Sequence, residues 1–253
     1  HALNDSASSS DFLLEAQLES GATRTAFSDV GYFEIPSPDQ LNTDAKSGLV
    51  SVPIIHVESG FMKDAFDLEI LSDLEGVSIY YTTDGSSPDA LSGHPYTGPL
   101  QVKKTTVLRA VGLRDGWIPS PVLTRSYLFT SDIALQDLSS ALETGFPTRW
   151  GSQAADYGLD TRVVGNQGRD SFGGRFKKTI QEDLLSLPSM SLVMDADTLF
   201  GARGIYANSG SRGKAWEKPV SVELIYPEDG RKGFQEDAGL RIQGGAFRKF
   251  NLT

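Results

Sequence analysis

The chain has 253 residues, of which 39% are hydrophobic and 22% are charged, a composition typical of a globular protein with a sizeable buried core. Its net charge of −10 argues against nucleic acid as a partner, because phosphate binding requires clustered Lys and Arg side chains. The absence of cysteine excludes disulfide bonds and thiolate metal sites, and no stretch approaches the roughly 18–20 apolar residues of a membrane-spanning helix.

Residues 1–52 are predicted to form an N-terminal extension. Within it, residues 11–34 indicate one or two strands. Pro36 and Pro38 then predict an extended, turn-rich segment, because proline cannot donate a hydrogen bond to a β-ladder. Residues 44–52 are predicted to be a linker.

Residues 53–129 are predicted to form an antiparallel β-sandwich. Apolar and polar side chains alternate over 66–70, 77–81 and 107–111, and turn signals rich in Gly, Pro, Asp and Ser separate these runs. Alternation with a period of two, interrupted by closely spaced turns, is typical of such a sandwich. We expect seven strands, with five side chains among those that face inward: Val77, Ile79, Tyr81, Val107 and Val111.

Residues 130–253 are predicted to form an α+β region. Ser131 is expected to cap a helix over 132–144, and a second helix over 174–187 has an apolar face and ends at Pro188. Strands are predicted at 190–194, 220–226 and 239–243. The apolar alternation continues to the last residue, which predicts that the chain is a fragment of a larger protein.

Part of the predicted sandwich resembles a known family. The run VSIYYTTDGSSP at 77–88 is followed by a Tyr-Thr-Gly-Pro turn at 96–99 and by Leu-Arg-Ala at 108–110. In this order and at this spacing, the three pieces resemble the chitobiase/β-hexosaminidase C-terminal type of module. The resemblance implies an immunoglobulin-like sandwich of the kind appended to secreted carbohydrate-active enzymes and surface proteins. The predicted fold class is therefore mainly β, an immunoglobulin-like antiparallel sandwich plus an α+β C-terminal region.

The C-terminal third resembles the region that leads into CotH-type (spore-coat kinase-like) domains. The resemblance rests on FPTRWG at 146–151, DYGLD at 156–160, WEKPVSVE at 216–223 and GLRIQGG at 239–245. It implies that the segment with the kinase-like lysine and acidic motifs lies beyond Thr253, so we predict no kinase activity for this chain.

The segment GYFEIPSP at 31–38 is similar to the last strand and exit of lamin-tail-like domains. Together the three resemblances predict a domain order. Residues 1–52 hold the lamin-tail-like end and a linker, 53–129 the sandwich, and 130–253 a truncated lead-in to a CotH domain. They also predict a secreted or cell-surface multidomain bacterial protein, and the lack of a visible signal peptide does not oppose this.

Carboxylates near the predicted C-terminal strands are the candidate catalytic groups of a hydrolase. Asp195 and Asp197 follow the strand at 190–194, and Glu223 lies on the next strand. A glycosidase uses two such acids, about 5–10 Å apart. The alternative is that each acid caps a backbone amide, pairs with a base or lies in water, which is expected by chance in a chain with 33 acidic residues. We expect the structural role and assign no catalytic residue.

His1 is the candidate metal ligand. An N-terminal histidine with a free amine can chelate copper with a second imidazole, as in lytic polysaccharide monooxygenases. Only His56 and His94 are present to supply that imidazole. The simpler interpretation is a leftover tag residue, with the other two histidines structural or facing solvent. No cofactor is therefore predicted.

Two glycine-bearing segments are predicted to form a loop or turn and not a catalytic or phosphate-binding site. Ser211 lies between Gly210 and Gly213, without the Gly-x-Ser-x-Gly elbow that presents a nucleophilic serine. Gly244 and Gly245 precede basic residues but lack the Gly-Lys-Ser/Thr ending of a phosphate-binding loop. We predict a loop at the first segment and a turn or bulge at the second.

Aromatic side chains are the candidate carbohydrate contacts, because the CH groups of a pyranose face pack on a ring. Tyr80 and Tyr81 point to opposite faces of one strand, so at least one of them faces away from the core. Tyr96 and Trp117 lie in predicted turns. The candidates for carbohydrate contact are therefore Tyr80, Tyr96 and Trp117.

The predicted function is that of a non-catalytic architectural or carbohydrate-adhering module. Its predicted partners are a polysaccharide or cell-surface glycan and the other domains of the parent chain. The alternative is an enzyme: a hydrolase that acts on glycan or ester substrates through the acidic residues, or a copper-dependent polysaccharide oxidase that uses His1. The two are separated by whether acidic side chains or histidines converge in one pocket, which a single sequence does not show.

Overall fold

A computed structural model describes residues 32, 45–143, 145–150, 153–164, 171–173, 175–227 and 231–244. The predicted strands over 11–34, apart from Tyr32, and the proline segment lie outside these residues. Tyr32 forms a β-bridge with Lys46, in which each backbone amide donates to the other residue's carbonyl.

The segment from residue 53 to 129 is an antiparallel sandwich, as predicted. Its seven strands are β1 Gly60–Phe61, β2 Phe66–Leu68, β3 Ser78–Thr82, β4 His94–Pro95, β5 Leu100–Val102, β6 Thr106–Leu113 and β7 Leu123–Leu128. One sheet has the order β1-β7-β6-β3-β4, and β2 pairs with β5 in the other. All pairings are antiparallel except β1 with β7.

The sandwich core lies between these two sheets. Leu68 on one sheet and Tyr127 on the other are fully buried, and Phe66 packs edge-on against Tyr127 with ring centroids 5.2 Å apart. Ile79 and Tyr81 pack against this core, as expected. Burial of an aliphatic side chain such as Leu68 stabilises the fold by about 1.5–3 kcal/mol relative to the same side chain in water.

The inward orientation predicted for Val107 and Val111 is wrong. Tyr81 pairs with Ala110, so the side chains of Leu108 and Ala110 share the core face, while Val107, Arg109 and Val111 point to the opposite face. The physical reason is that both faces of β6 are covered, which removes the contrast between an apolar and a polar face on which the alternation argument depends.

Residues 45–52, predicted to be a linker, lie along the sandwich. Leu49 forms a parallel bridge with Ile118, and the Val50 amide donates to the Ile118 carbonyl over 3.0 Å. The Val50 side chain is fully buried. Contacts with the sandwich therefore begin before residue 53, and the domain boundary itself stays a prediction.

The Tyr127 hydroxyl donates a hydrogen bond of 2.9 Å to the Val57 carbonyl, and burial raises its pKa above the usual value for tyrosine. The pKa of Tyr127 is therefore higher in the folded than in the unfolded protein. The stabilisation that the neutral, buried hydroxyl provides is fully present below about pH 10 and is lost as the pH rises further. We expect Tyr127→Phe to lower the free energy of unfolding by about 1 kcal/mol at neutral pH. It should also make the alkaline decline in stability less steep.

Urea unfolding of both proteins between about pH 7 and pH 11 measures this difference in slope. Comparison with the wild type cancels the titration of lysines and of the other tyrosines. Parallel stability curves over this pH range would contradict the assignment.

The C-terminal region is α+β. Its helices are α1 Thr130–Leu135, α2 Leu138–Leu142, α3 Thr161–Val164, α4 Arg175–Leu184 and α5 Ala196–Phe200, and a short 3-10 helix spans Lys214–Trp216. Its strands are β8 Arg149–Trp150, β9 Gln153–Ala154, β10 Ser189–Val193, β11 Lys218–Ile225 and β12 Phe234–Leu240. None of the helices within the described residues is long and apolar enough to cross a membrane.

Two predicted elements differ from the structure. The helix expected over 132–144 is divided, because the Asp137 side chain accepts a hydrogen bond from the Ser140 amide and so starts a second helix. The strand expected at 239–243 begins earlier, at Phe234. Most of β12 is exposed, so its sequence carries no burial pattern by which the strand could be recognised.

Strands β10, β11 and β12 form an antiparallel sheet, and one face of it lies against the outer face of the five-stranded sheet. Contacts across this interface join Ser191 and Glu223 to Ser126, and Val193 lies close to Gly85. The opposite face of the three-stranded sheet is exposed at Met190, Leu192 and Phe234. The protein is therefore layered, and the central sheet is covered on both sides.

Candidate functional site

Glu223 lies at the interface between the sandwich and the three-stranded sheet and is 1% exposed. Its two carboxylate oxygens accept hydrogen bonds from the hydroxyls of Ser59 and Ser126. The Ser126 hydroxyl is also within hydrogen-bond distance of the Ser191 hydroxyl, 2.8 Å away. The backbone amide of Ser126 donates to the Ser59 hydroxyl over 3.1 Å. We call these four residues, Ser59, Ser126, Ser191 and Glu223, the serine–glutamate cluster.

The serine–glutamate cluster gives each oxygen of a buried carboxylate a hydrogen-bond donor. A buried charge without partners costs several kcal/mol, so such a group is found only where donors surround it. Here the donors come from the sandwich and the carboxylate comes from β11. The cluster therefore joins the two parts of the protein.

Asp195, directly after β10, contacts the sandwich at a second point. Its carboxylate accepts hydrogen bonds from the Ser87 amide over 2.6 Å and from the Ser87 hydroxyl over 3.1 Å. It also lies 3.9 Å from the guanidinium of Arg109. This second contact involves the loop after β3 and the outward face of β6.

Arg109 is largely buried, with 11% of its side chain exposed. Its Nη1 donates to the Gly85 carbonyl over 3.1 Å, while its Nε is buried and has no hydrogen-bond acceptor among the described residues. Burial lowers the pKa of this guanidinium, and the negative charges of Asp195, Asp237 and Asp84 oppose that shift. The carboxylate of Asp195 therefore compensates a cation that is poorly hydrated.

The three acids considered as catalytic groups have different surroundings. Asp197, in the first turn of α5, is exposed to solvent. Asp195 accepts a hydrogen bond from the Ser87 amide and pairs with Arg109, which is the surrounding expected for a structural role. The serine hydroxyls around Glu223 were not anticipated. The catalytic alternative for these residues is untested.

The predicted carbohydrate contacts also have different surroundings. Tyr96 packs against the sandwich core and edge-on to Tyr81, with ring centroids 6.4 Å apart. Tyr80 points to the opposite face from Tyr81 and is half-buried, in agreement with the alternation argument. The Trp117 ring lies against Gly48, and the guanidinium of Arg114 stacks over it at 4.4 Å. Sugar binding at these residues stays a prediction.

His1 lies outside the described residues, so its proposed copper site has no structural account. His94 is exposed at the edge strand β4 and stacks on Tyr81 with centroids 5.7 Å apart. Among the residues that the structure describes, no group of three or more His, Asp or Glu side chains is arranged to hold a metal ion.

A cleft of about 290 Å³ opens in the C-terminal region, between the segment 205–216 and the chain after β12. The functional groups that line it are Asn208, Ser211, Arg212, Trp216, Arg241 and Gln243. We call it the Trp216 cleft. None of the described residues that line it carries a carboxylate, although the chain has 33 acidic and 23 basic residues.

Local backbone structure positions these side chains. The Asn208 side-chain amide donates to the carbonyls of Ala202 and Gly204, and the Ser211 amide donates to the Asn208 carbonyl over 2.8 Å. Gly213 then has a φ of +89°, a value that favours glycine, and begins the turn that places Trp216. These bonds hold the loop in one shape.

Sequence reasoning did not identify this cleft. Ser211 was predicted to lie in a loop and Gly244 in a turn or bulge, and no binding role was predicted for Arg212, Trp216 or Arg241. No local motif links residues about thirty positions apart. Their proximity follows from the pairing of β11 with β12, which returns Leu240 to a position beside Lys218.

The fold between Gly60 and Leu128 is an antiparallel β-sandwich, and a protein-family model matches most of the same segment. The family model of the chitobiase/beta-hexosaminidase C-terminal domain matches residues 57–124, just over a quarter of the chain. The match does not extend to the segments that resemble a CotH lead-in and a lamin-tail end, and these two resemblances have no support from the comparison. Neither the curated proteins nor the solved structures gave a match.

Proposed function

We propose that this chain is a non-catalytic, carbohydrate-adhering and architectural part of an exported multidomain bacterial protein. The family match at residues 57–124 supports the association with carbohydrate. The proposal of a non-catalytic role is supported by one observation: the buried carboxylate of Glu223 accepts hydrogen bonds from two serine hydroxyls of the sandwich and faces that interface. The hydrogen bonds of Glu223 stabilise the contact between the C-terminal sheet and the sandwich.

The architectural part of the proposal follows from the same contacts. Glu223 and Asp195 contact the outer face of the sandwich at two separate points, which restrains the C-terminal sheet in one orientation. A sandwich of this kind acts as a rigid base for the region that follows it. Secretion or display at the cell surface, and a place within a chain ordered as lamin-tail end, sandwich and CotH-type region, are part of this proposal.

The test is a screen for turnover of glycan and ester substrates, with and without added copper, together with sedimentation of the protein on insoluble polysaccharides. We expect no turnover and measurable retention on at least one polysaccharide. Turnover abolished by Asp195→Asn, Asp197→Asn or Glu223→Gln, but retained by the matched control Glu236→Gln at an exposed position of β12, would establish a hydrolase instead. Copper-dependent oxidation that requires His1 would establish the oxidase.

A further inference from the structure

The Trp216 cleft has the charge of an anion site in a chain that is acidic as a whole. Arg212 and Arg241 line it, and both are exposed to solvent. Arg241 has a carboxylate neighbour, Glu217, but the closest oxygen is 4.0 Å from its Nη1, and 54% of the Arg241 side chain is exposed. An exposed ion pair of this length contributes little to stability. A ligand carboxylate can therefore replace Glu217 and form a charge-assisted, bidentate pair of hydrogen bonds with Arg241.

The remaining groups of the cleft fit a sugar. Trp216 is half-buried at its wall and offers an aromatic surface to the CH groups of a pyranose. Ser211 and Gln243 add a hydroxyl and an amide, which donate to and accept from sugar hydroxyls. A volume of about 290 Å³ lies at the lower end of the range for small-molecule sites, which suits a short segment of a saccharide.

Resting on the proposed carbohydrate-adhering function, we infer that the Trp216 cleft binds a saccharide that carries carboxylate groups, such as an oligouronate. Arg212 and Arg241 recognise the carboxylate, and Trp216 supports the sugar ring. This site is separate from Tyr80, Tyr96 and Trp117, since it belongs to the C-terminal region and not to the sandwich. The acidic remainder of the surface repels the same ligand elsewhere, which favours binding at this one position.

Isothermal titration of the whole chain with a tetragalacturonate, and in parallel with the uncharged cellotetraose, tests the inference. We expect the uronate to bind more tightly than the neutral sugar and to lose affinity with added salt, because screening weakens the guanidinium–carboxylate attraction. Arg212→Ala and Arg241→Ala should each weaken uronate binding about tenfold. Trp216→Ala should weaken it further than Trp216→Phe, which keeps an aromatic ring.

Arg203→Ala is the matched control, because Arg203 is an exposed arginine two positions before the segment 205–216 and does not line the cleft. It removes the same charge and should leave the affinity unchanged. Unfolding curves for each variant show whether a loss of binding reflects a loss of fold.

Three outcomes would overturn the inference. The first is no uronate binding, or uronate binding that Arg212→Ala and Arg241→Ala leave intact. The second is displacement of the uronate by inorganic phosphate at equal concentration, which would indicate a site for small anions. The third is binding of the neutral sugar alone, in which case the carbohydrate-adhering function stands and this inference fails. Turnover of the saccharide would instead refute the proposed function.

Discussion

Replacement of Glu223 with alanine is expected to lower the free energy of unfolding by about 3 kcal/mol. The carboxylate accepts hydrogen bonds from the hydroxyls of Ser59 and Ser126, and it is 1% exposed. Alanine leaves the buried Ser126 hydroxyl and the half-buried Ser59 hydroxyl without their carboxylate acceptor, and it opens a void at the interface. Urea unfolding followed by far-ultraviolet circular dichroism measures the change.

Glu236→Ala is the control for this prediction. Glu236 lies on the neighbouring strand β12, opposite Val222, and is exposed to solvent. Its removal deletes an acid of the same type from the same sheet and should leave the stability nearly unchanged. If the two variants were equally stable, the serine–glutamate cluster would not hold the interface.

The loss of Glu223 should also change the form of the unfolding transition. In the wild type, the docked sheet and the sandwich are expected to unfold together. In Glu223→Ala, the C-terminal sheet should unfold at a lower temperature than the sandwich and give two calorimetric transitions. A single transition at the wild-type temperature would contradict the proposed docking role.

Replacement of Asp195 with alanine is expected to cost about 1.5 kcal/mol, less than the loss of Glu223 because 38% of the Asp195 side chain is exposed. The variant leaves the Ser87 amide without its acceptor, and it removes the negative charge nearest to the buried guanidinium of Arg109. Thermal unfolding at low and high salt measures the effect.

A double-mutant cycle separates the ion pair from the hydrogen bonds to Ser87. Arg109→Met replaces the aliphatic stem with an apolar chain of similar width and removes the charged guanidinium. If the two charges interact across 3.9 Å, Asp195→Ala should cost less in the Arg109→Met background than in the wild type. Asp197→Ala, two positions along the chain and exposed, should show no such coupling. Equal costs in both backgrounds would show that Asp195 acts through Ser87 alone.

The period-two pattern correctly predicted the regions of β2, β3 and β6 and the inward orientation of Ile79 and Tyr81. Ile79 and Tyr81 alternate along β3 with Ser78 and Tyr80, which point to the opposite face. In β6 the same argument selected the wrong face. Val107, Leu108 and Val111 are all apolar, and Arg109 lies on the side that the C-terminal sheet covers. A strand that is covered on both sides does not reveal its orientation through hydrophobicity.

The candidate sites were less accessible to sequence reasoning. The three acids could be named from their positions after or on predicted strands, but the partners of Glu223 are 97 and 164 residues away. The Trp216 cleft was missed for a similar reason, since Arg241 meets the loop that carries Trp216 only through the β11–β12 hairpin. Neither arrangement has a local motif.

Alternation, turns and motifs are local in the chain, and they were enough to predict the mainly β fold class, a sandwich and the family resemblance. How each functional group is used depends on the packing of distant segments. The tertiary structure placed the Glu223 carboxylate among serines of the sandwich and gathered two arginines beside Trp216. The physical reason is that hydrogen bonding and charge act over a few ångströms in space, and only the packing of the sheets brings such distant residues within that range.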